Sequence, residues 1–233
     1  MTQHAKMPMI SVIIPTLNEE KVLDKTLRHL KGAEVEMIIS DGGSTDQTLH
    51  IARSSNLHVI SSPAGRSHQL NKGAEASNGD ILLFLHADTL LPAHFTGHIV
   101  KTLENPGVAA GAFRLTVDDN RIIFRFIETG ANIRSSLLQM PYGDQALFMK
   151  RKIFQKIGGF PSIPIMEDFA FVRMLRKEGR IQTLNEHVTT SARRWVSQGP
   201  IKTTLKNQCM IAGYLLGFSP GRLARFYRVR KKL

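Results

Sequence analysis

The chain has 233 residues and a mass of 26.0 kDa, with 42% apolar and 21% charged residues. That is the composition of a globular protein and excludes a disordered or collagen-like chain. A single cysteine, Cys209, excludes an intrachain disulfide and points to a reducing compartment. The net charge of +12 is concentrated late. Up to Glu186 there are 21 basic and 19 acidic residues, and beyond it ten Lys and Arg with no Asp or Glu. A near-neutral body with a basic tail suits an anionic partner, or is a solvated extension without one. No apolar run approaches the roughly 20 residues that span a bilayer. The N-terminus shows no signal-peptide core, so the expected location is the cytoplasm, possible membrane contact being peripheral on the inner face.

In chain order, short β-branched runs alternate with helical periodicity, the signature of an α/β sheet. Residues 9–15 (MISVIIP) read as a buried strand, after which Asn18 is placed to cap a helix striped by Val22, Leu23, Leu27 and Leu30. Residues 36–40 form a second strand ending at Asp41. Gly42-Gly43 and a capping-box spacing from Ser44 to Gln47 follow it. His58–Ser61 is a third strand, 65–77 a loop and helix, and 80–85 (DILLFL) a central strand ending at His86-Ala87-Asp88. Pro92 is expected to start the next helix. Farther on, 111–117 and 145–149 read as strands around an amphipathic helix near Ile122–Leu138. A short helix at 152–157 stops at Gly158-Gly159, a helix at 169–177 follows Glu167-Asp168, and 181–184 is a strand. With no repeat or linker, the expected organisation is one domain at 1–195. A basic helical appendage at 196–233 completes the chain.

Ligands of open α/β sheets bind beyond the C-terminal ends of the strands. Thr16 and Asn18, Asp41, and His86 with Asp88 all fall at such ends. A lone Asp after a strand is usually a turn residue, but three strands ending this way point to a site. Neither GxxxxGK[ST] nor GxGxxG after a strand occurs, so the two common phosphate loops are missing. A diphosphate could instead be held through a divalent cation on carboxylate oxygens, Asp88 being the obvious ligand. His94 and His98 lie four apart without a third ligand and read as surface or packing residues.

The ordered set PTLNEE (15–20), SDGGSTDQT (40–48), GRSHQLNKGAEASNGDILLFLHAD (65–88), GDQ (143–145) and ED (167–168) resembles the family 2 glycosyltransferases over about residues 9–195. The HAD, GDQ, MED and RRW variants look most like a bacterial subgroup of arsenosugar-biosynthesis glycosyltransferases. The resemblance implies that 1–195 is a catalytic domain of GT-A fold, a mixed sheet flanked by helices, nucleotide-binding over about 9–90 and acceptor-binding over about 91–195. It further implies a nucleotide-diphospho-sugar donor, Mg2+ or Mn2+, and inversion at the anomeric carbon. By motif, Thr16, Asn18 and Glu19 would line the nucleotide pocket and Asp41 would accept a hydrogen bond from the base, typically uracil. Arg66, Asn71 and Lys72 would approach base and diphosphate, and Asp88 would hold the metal. His86 stands where the family usually has Asp; it could face the ribose, ligate the metal, or pack at the strand end. Asp168, with Glu167, matches the family's general-base pair, whose carboxylate takes the acceptor's proton; otherwise the two simply favour a helix N-terminus. Asp144 and Gln145 would shape the acceptor side. Arg193-Arg194-Trp195 partly matches the QxxRW of processive relatives, with Ser191 in place of Gln, and an arginine there could neutralise diphosphate charge. Trp195 could stack on a sugar or pack in the core.

The tail PGRLARFYRVRKKL is basic and amphipathic, with Leu223, Phe226, Tyr227 and Leu233 on one side and Arg230, Lys231 and Lys232 at its end. It could lie on an anionic membrane near a lipid-linked acceptor, or dock on the catalytic domain. Two rivals to glycosyl transfer are a nucleotidyltransferase, which would show a glycine-rich loop after its first strand, and a non-enzymatic membrane- or nucleic-acid-binding module. Nucleic acid is not expected as a partner, given the neutral body and 7% aromatics.

Overall fold

The computed structural model describes residues 7–55 and 57–228. The tail residues Arg230, Lys231, Lys232 and Leu233 lie outside the described residues. An eight-stranded mixed sheet runs in the order β3-β2-β1-β4-β7-β6-β8-β5. Its strands are β1 (Ile10–Thr16), β2 (Glu36–Asp41), β3 (His58–Ser61), β4 (Ile81–Phe84), β5 (Thr89–Leu90), β6 (Val108–Val117), β7 (Phe148–Lys150) and β8 (Arg180–Thr190). The first four are mutually parallel, β7 runs against β4 and β6, β8 is parallel to β6, and β5 runs against β8.

The apolar runs become central strands because both sheet faces are covered. Ile10, Val12 and Ile14 point into one core, together with Ile81, Leu83 and Leu85. Ile13, Leu82 and Phe84 point into the other, the period-two alternation of a pleated strand. Helices α1 (Leu23–Leu30), α2 (Thr48–Ser54) and α4 (Phe95–Glu104) contribute to the first core. The second takes α3 (Arg66–Glu75), α6 (Arg151–Ile157) and α7 (Glu167–Glu178). Gly73 lets α3 lie close on β1: a Cβ there would come within 2.4 Å of Ile13 Cγ2. Beneath α7, Phe160 stacks on Phe171 at 3.9 Å and meets Phe84 edge-on at 4.9 Å.

Helix α5 (Ile122–Leu138) follows β6. After β8 come α8 (Arg193–Gln198), α9 (Pro200–Leu215) and α10 (Pro220–Arg228). Met210 of α9 and Leu223 of α10 enter the second core, with Tyr227 packed against it, while Phe226 is exposed. Lys206 Nζ donates to the Tyr227 carbonyl. Of the three described apolar tail residues, Leu223 and Tyr227 thus dock on the fold and Phe226 faces outward.

Several local expectations are corrected. Helix α1 begins at Leu23, not beside Asn18, which adopts φ 56° and accepts the Thr45 N–H on its side chain. Capping here is reciprocal between loops: Ser44, Thr48 and Asp46 side chains accept the N–H groups of Asn18, Glu19 and Glu20. The chain from Ser44 to Gln47 therefore forms no capping box, and α2 starts at Thr48. Helix α4 starts at Phe95 behind a left-handed His94 rather than at Pro92. Gln145 ends a 3-10 turn (Gly143–Gln145) instead of starting a strand.

Candidate active site

The chain leaves β1 toward β2 and β3, then returns to place β4 on the other side of β1. The crevice at such a switch point is where open α/β sheets bind ligands. Thr16, Asp41 and the His86–Asp88 segment lie at the C-terminal ends of the strands that flank it. Three non-glycine residues with left-handed backbone border the site: Asn18, Ala146 and Met166. Each costs about 1–3 kcal/mol and persists only where surroundings impose it.

The β1 and β2 ends form a closed network. Buried Asp41 accepts the N–H groups of Gly43 and Ser44 on Oδ2, and the hydroxyls of Thr16 and Ser44 on Oδ1. All four carboxylate acceptor positions are engaged by the chain, so an incoming base N–H would have to displace Ser44 or Thr16. Gln69 donates to the carbonyls of Thr16 and Ser40, fixing α3 beneath the same loops.

A second cluster joins β4, α3, the 3-10 turn and α7. Arg66 Nη2 donates to His86 Nε2, which leaves the ring proton on Nδ1. Arg66 Nε lies 3.8 Å from Glu167 Oε1. Burial, with the guanidinium groups of Arg66, Arg194 and Arg193 nearby, holds His86 well below the usual imidazole range, so the ring is neutral. Asp168 accepts the Gly143 N–H at 3.2 Å on Oδ2 and its own helix's Phe169 N–H at 2.7 Å on Oδ1. Gly143 is the meeting point: a Cβ there would lie 3.1 Å from His86 Nε2, 3.6 Å from Asp168 Oδ2 and 3.8 Å from Arg66 Nη2. Burial pushes the Glu167 carboxyl up, and Asp168 adds to that while Arg66 opposes it. Asp144 is likewise raised by burial, and its Oδ1 has no hydrogen-bond partner among the described residues.

Arg193 organises the third part of the site. Its guanidinium donates to Glu19 Oε2 at 2.5 Å and to Asp88 Oδ2 at 3.0 Å. Asp88 and Glu19 are thus two carboxylates sharing one internal cation. Among the described residues no group of three or more His, Cys, Asp or Glu is placed to hold a metal ion. The pair fits a hard divalent cation that takes one or two carboxylates and completes its shell with substrate phosphates and water. The RRW triplet carried the signal for Arg193, but sequence spacing could not say which arginine reaches Asp88.

Four other expected residues are engaged elsewhere. The Asn71 amide clamps Phe160 through both its backbone N–H and its carbonyl at 2.8 Å. Lys72 Nζ sits on Glu75 at 2.6 Å. Gln145 is fully buried, donating to the Phe113 carbonyl and accepting from Arg134 and the Tyr142 N–H. Trp195 packs edge-on against Phe124 at 6.2 Å. For Gln145 the reason is burial, since a buried amide needs hydrogen-bond partners; half-buried Asn71 is held by the Phe160 backbone. Arg194 stays near the site, its guanidinium 5.5 Å from the Tyr227 ring centroid.

The model of "Glycosyl transferase family 2" matches residues 11–166. The probable glycosyltransferase YdaM of Bacillus subtilis is 28% identical over 194 residues, covering 70% of this chain and 45% of YdaM. The fold resembles mannosyltransferase PcManGT from Pyrobaculum calidifontis, solved with GDP-Man and Mn2+. That match has a TM-score of 0.62 and 21% identity, over 79% of this chain and 57% of that one. It also resembles S. aureus TarS 1-349 in complex with UDP-GlcNAc, at TM-score 0.61 and 19% identity over 78% and 58% of the two chains. This chain therefore spans about half the length of these proteins, and its sheet is the GT-A sheet expected from the motifs. With a family model over two thirds of its residues and that sheet beneath them, the chain belongs to glycosyl transferase family 2.

Proposed function

We propose that the protein transfers a sugar from a nucleotide-diphospho-sugar to an acceptor hydroxyl with inversion. The observation that carries this is the convergence of Arg66, His86, Gly143 and Asp168 beside the Asp88–Glu19 pair at the switch point. The names of the structural neighbours, solved with GDP-Man and Mn2+ or with UDP-GlcNAc, support a donor of this class. UDP is the favoured donor nucleotide on the motif resemblance.

Asp168 acts as general base. Its Oδ2 holds only the long Gly143 contact, so it can take the acceptor proton as the acceptor oxygen bonds to the anomeric carbon. The bond from that carbon to the diphosphate oxygen breaks with its electron pair leaving on the nucleoside diphosphate. Glu167 steadies Arg66. Neutral His86 offers its Nδ1–H to the donor's ribose. Asp88, with Glu19, would hold Mg2+ or Mn2+, which when bound supplies positive charge for the departing diphosphate. Arg193 and Arg194 add cationic charge beside it. The basic segment after Glu186 would meet an anionic membrane surface, supported by the absence of acids there, and sedimentation with anionic vesicles tests that contact. A place in arsenosugar biosynthesis belongs to the same proposal and rests on the motif variants alone.

The deciding experiment is calorimetry with UDP-, GDP- and dTDP-sugars, with and without Mn2+, on the wild type and Asp88→Ala. Metal-dependent binding of one donor, lost in the variant, is expected; no binding of any donor would overturn the reading.

A further inference from the structure

A groove of about 920 Å3 runs between α5 and α9, and its lining reaches Asp144, next to Gly143, so it opens from the candidate active site. Its walls are aliphatic and aromatic: Phe126, Leu137 and Leu138 from α5, Ile201, Leu205 and Leu215 from α9. All six are exposed, Leu137 by 76% and Phe126 by 70%. They are not misplaced core residues, because α5 already buries Phe124 and Ala131 on its inner side. A continuous apolar surface of this kind marks a binding site in a water-exposed protein.

Beside Asp144 and neutral Thr204, Asn207 and Gln208, the charged groups of the groove are three arginines, Arg134, Arg173 and Arg176. Arg173 and Arg176 line it from α7, are exposed, and form no ion pair among the described residues. They are three residues apart and share a helix face. The same helix carries Asp168 in its first turn, about 8 Å of helix rise before Arg173. Asp144 Oδ1, Trp195 Nε1 and Thr204 Oγ1, all from lining residues, are buried without hydrogen-bond partners among the described residues. Unpaired polar atoms beside an apolar trough suit an occupant that is itself part polar and part apolar.

We propose that this groove is the acceptor subsite for an anionic amphiphile. One long alkyl or prenyl chain lies between α5 and α9, and the anionic head at Arg173 and Arg176 sets the acceptor hydroxyl toward Asp168. This rests on the glycosyl-transfer reading and names its acceptor class. A protein partner seated in the same groove would cover Asp144 and Trp195 and shut the acceptor side, so a chain-like ligand fits the continuity with the site better.

Trp195 is the only tryptophan and lies in the groove, so its fluorescence reports occupancy without any donor. The probes are hexyl, octyl, decyl and dodecyl phosphate below their micelle concentrations, with inorganic phosphate and octyl glucoside as comparisons. Saturable binding is expected, tightening by up to about fourfold per methylene until the trough is filled. Octyl glucoside should bind more weakly than octyl phosphate, and inorganic phosphate should give no response. Leu137→Glu and Leu205→Glu should lose the alkyl phosphates while keeping wild-type circular dichroism and nucleotide-sugar calorimetry. Affinity independent of chain length, or retained by both variants, overturns the proposal. So does gel filtration showing a wild-type dimer that both variants split, which would make this face a contact between copies. Chain-length-dependent binding without donor binding would sink the glycosyl-transfer reading and leave an amphiphile site; donor binding without alkyl phosphate binding would sink only this inference.

Discussion

Replacing Arg193 with Ala removes the cation shared by Glu19 and Asp88. The two bonds are charge-assisted, at 2.5 and 3.0 Å, and such bonds contribute about 1.5–3 kcal/mol each when well buried. The Arg193 side chain is 41% exposed, so solvent screening brings the sum down to about 1–3 kcal/mol. For a chain of this size that lowers Tm by about 3–9 °C. Burial raises the Glu19 carboxyl, Asp88 adds to that, and Arg193 opposes it, so the variant's Glu19 should rise further. A carboxyl raised in the folded state contributes stability below its folded pKa that is lost as pH climbs through it. The loss in Arg193→Ala should therefore be larger at pH 8 than at pH 5. The same variant should bind Mn2+ without donor, because no guanidinium competes for Asp88, and metal at a hundredfold excess over its Kd should return about 2.7 kcal/mol. Thermal melts with and without Mn2+ at both pH values test all three statements. Equal Mn2+ response in wild type and variant would refute the competition, and equal stability would refute the bridge.

Gly143→Ala should fold normally, since Gly143 lacks a positive φ, but its methyl would press within 3.1 Å of His86. A displacement of that order costs roughly 10–100-fold in turnover, with nucleotide affinity kept; donor-hydrolysis kinetics alongside calorimetry would show it. Gly73→Ala should act oppositely, destabilising by about 1–3 kcal/mol through overpacking against Ile13 as read by urea titration. His86 should stay neutral as pH falls through its ordinary value of 6.5. The unfolded chain takes up a proton there that the folded chain refuses, so stability falls on acidification by about 1.36 kcal/mol per pH unit. His86→Gln should remove that slope below pH 6.5, and the NMR resonance that His86→Gln deletes should not titrate near 6.5 in the wild type.

The strands that position the site were readable because Ile10, Val12, Ile14 and the Ile81–Phe84 run carry their burial in local patterning. Helix ends were read less well for a physical reason. Asn18, Ser44 and Asp46 have the chemistry of local caps, yet their partners lie across the β1 and β2 loops, a separation no local window sees. The left-handed backbone at Ala146, which ends the Gly143–Gln145 turn, and at Met166, which precedes α7, likewise leaves no mark in residue type. β8 extends to Thr190, beyond its apolar start, because β6 pairs with it through two register shifts. On α5, apolar periodicity did not separate the residues that face the core from Leu137 and Phe126, which face the groove. Hydrophobicity names both alike, and only the placement of α9 distinguishes them.

The arginines follow one logic. Asp88 and Glu19 face Arg193, while Glu167 faces Arg66. A crevice built to receive a diphosphate and a divalent cation must carry acids and bases in the same small volume, and without ligand those charges would be partly desolvated and unpaired. Internal pairing lowers that cost while leaving each partner only partly buried, so exchange remains feasible: metal for Arg193 at Asp88, and diphosphate for the carboxylates at the arginines. His86 cannot join this exchange by gaining charge, because three guanidinium groups and its own burial keep it neutral. Its fitness is for hydrogen bonding alone. That gives a physical reason why an imidazole can stand where the family more often has a carboxylate: a third acid beside Asp88 would strengthen the hold on Arg193 and oppose the exchange that the proposed donor binding would require.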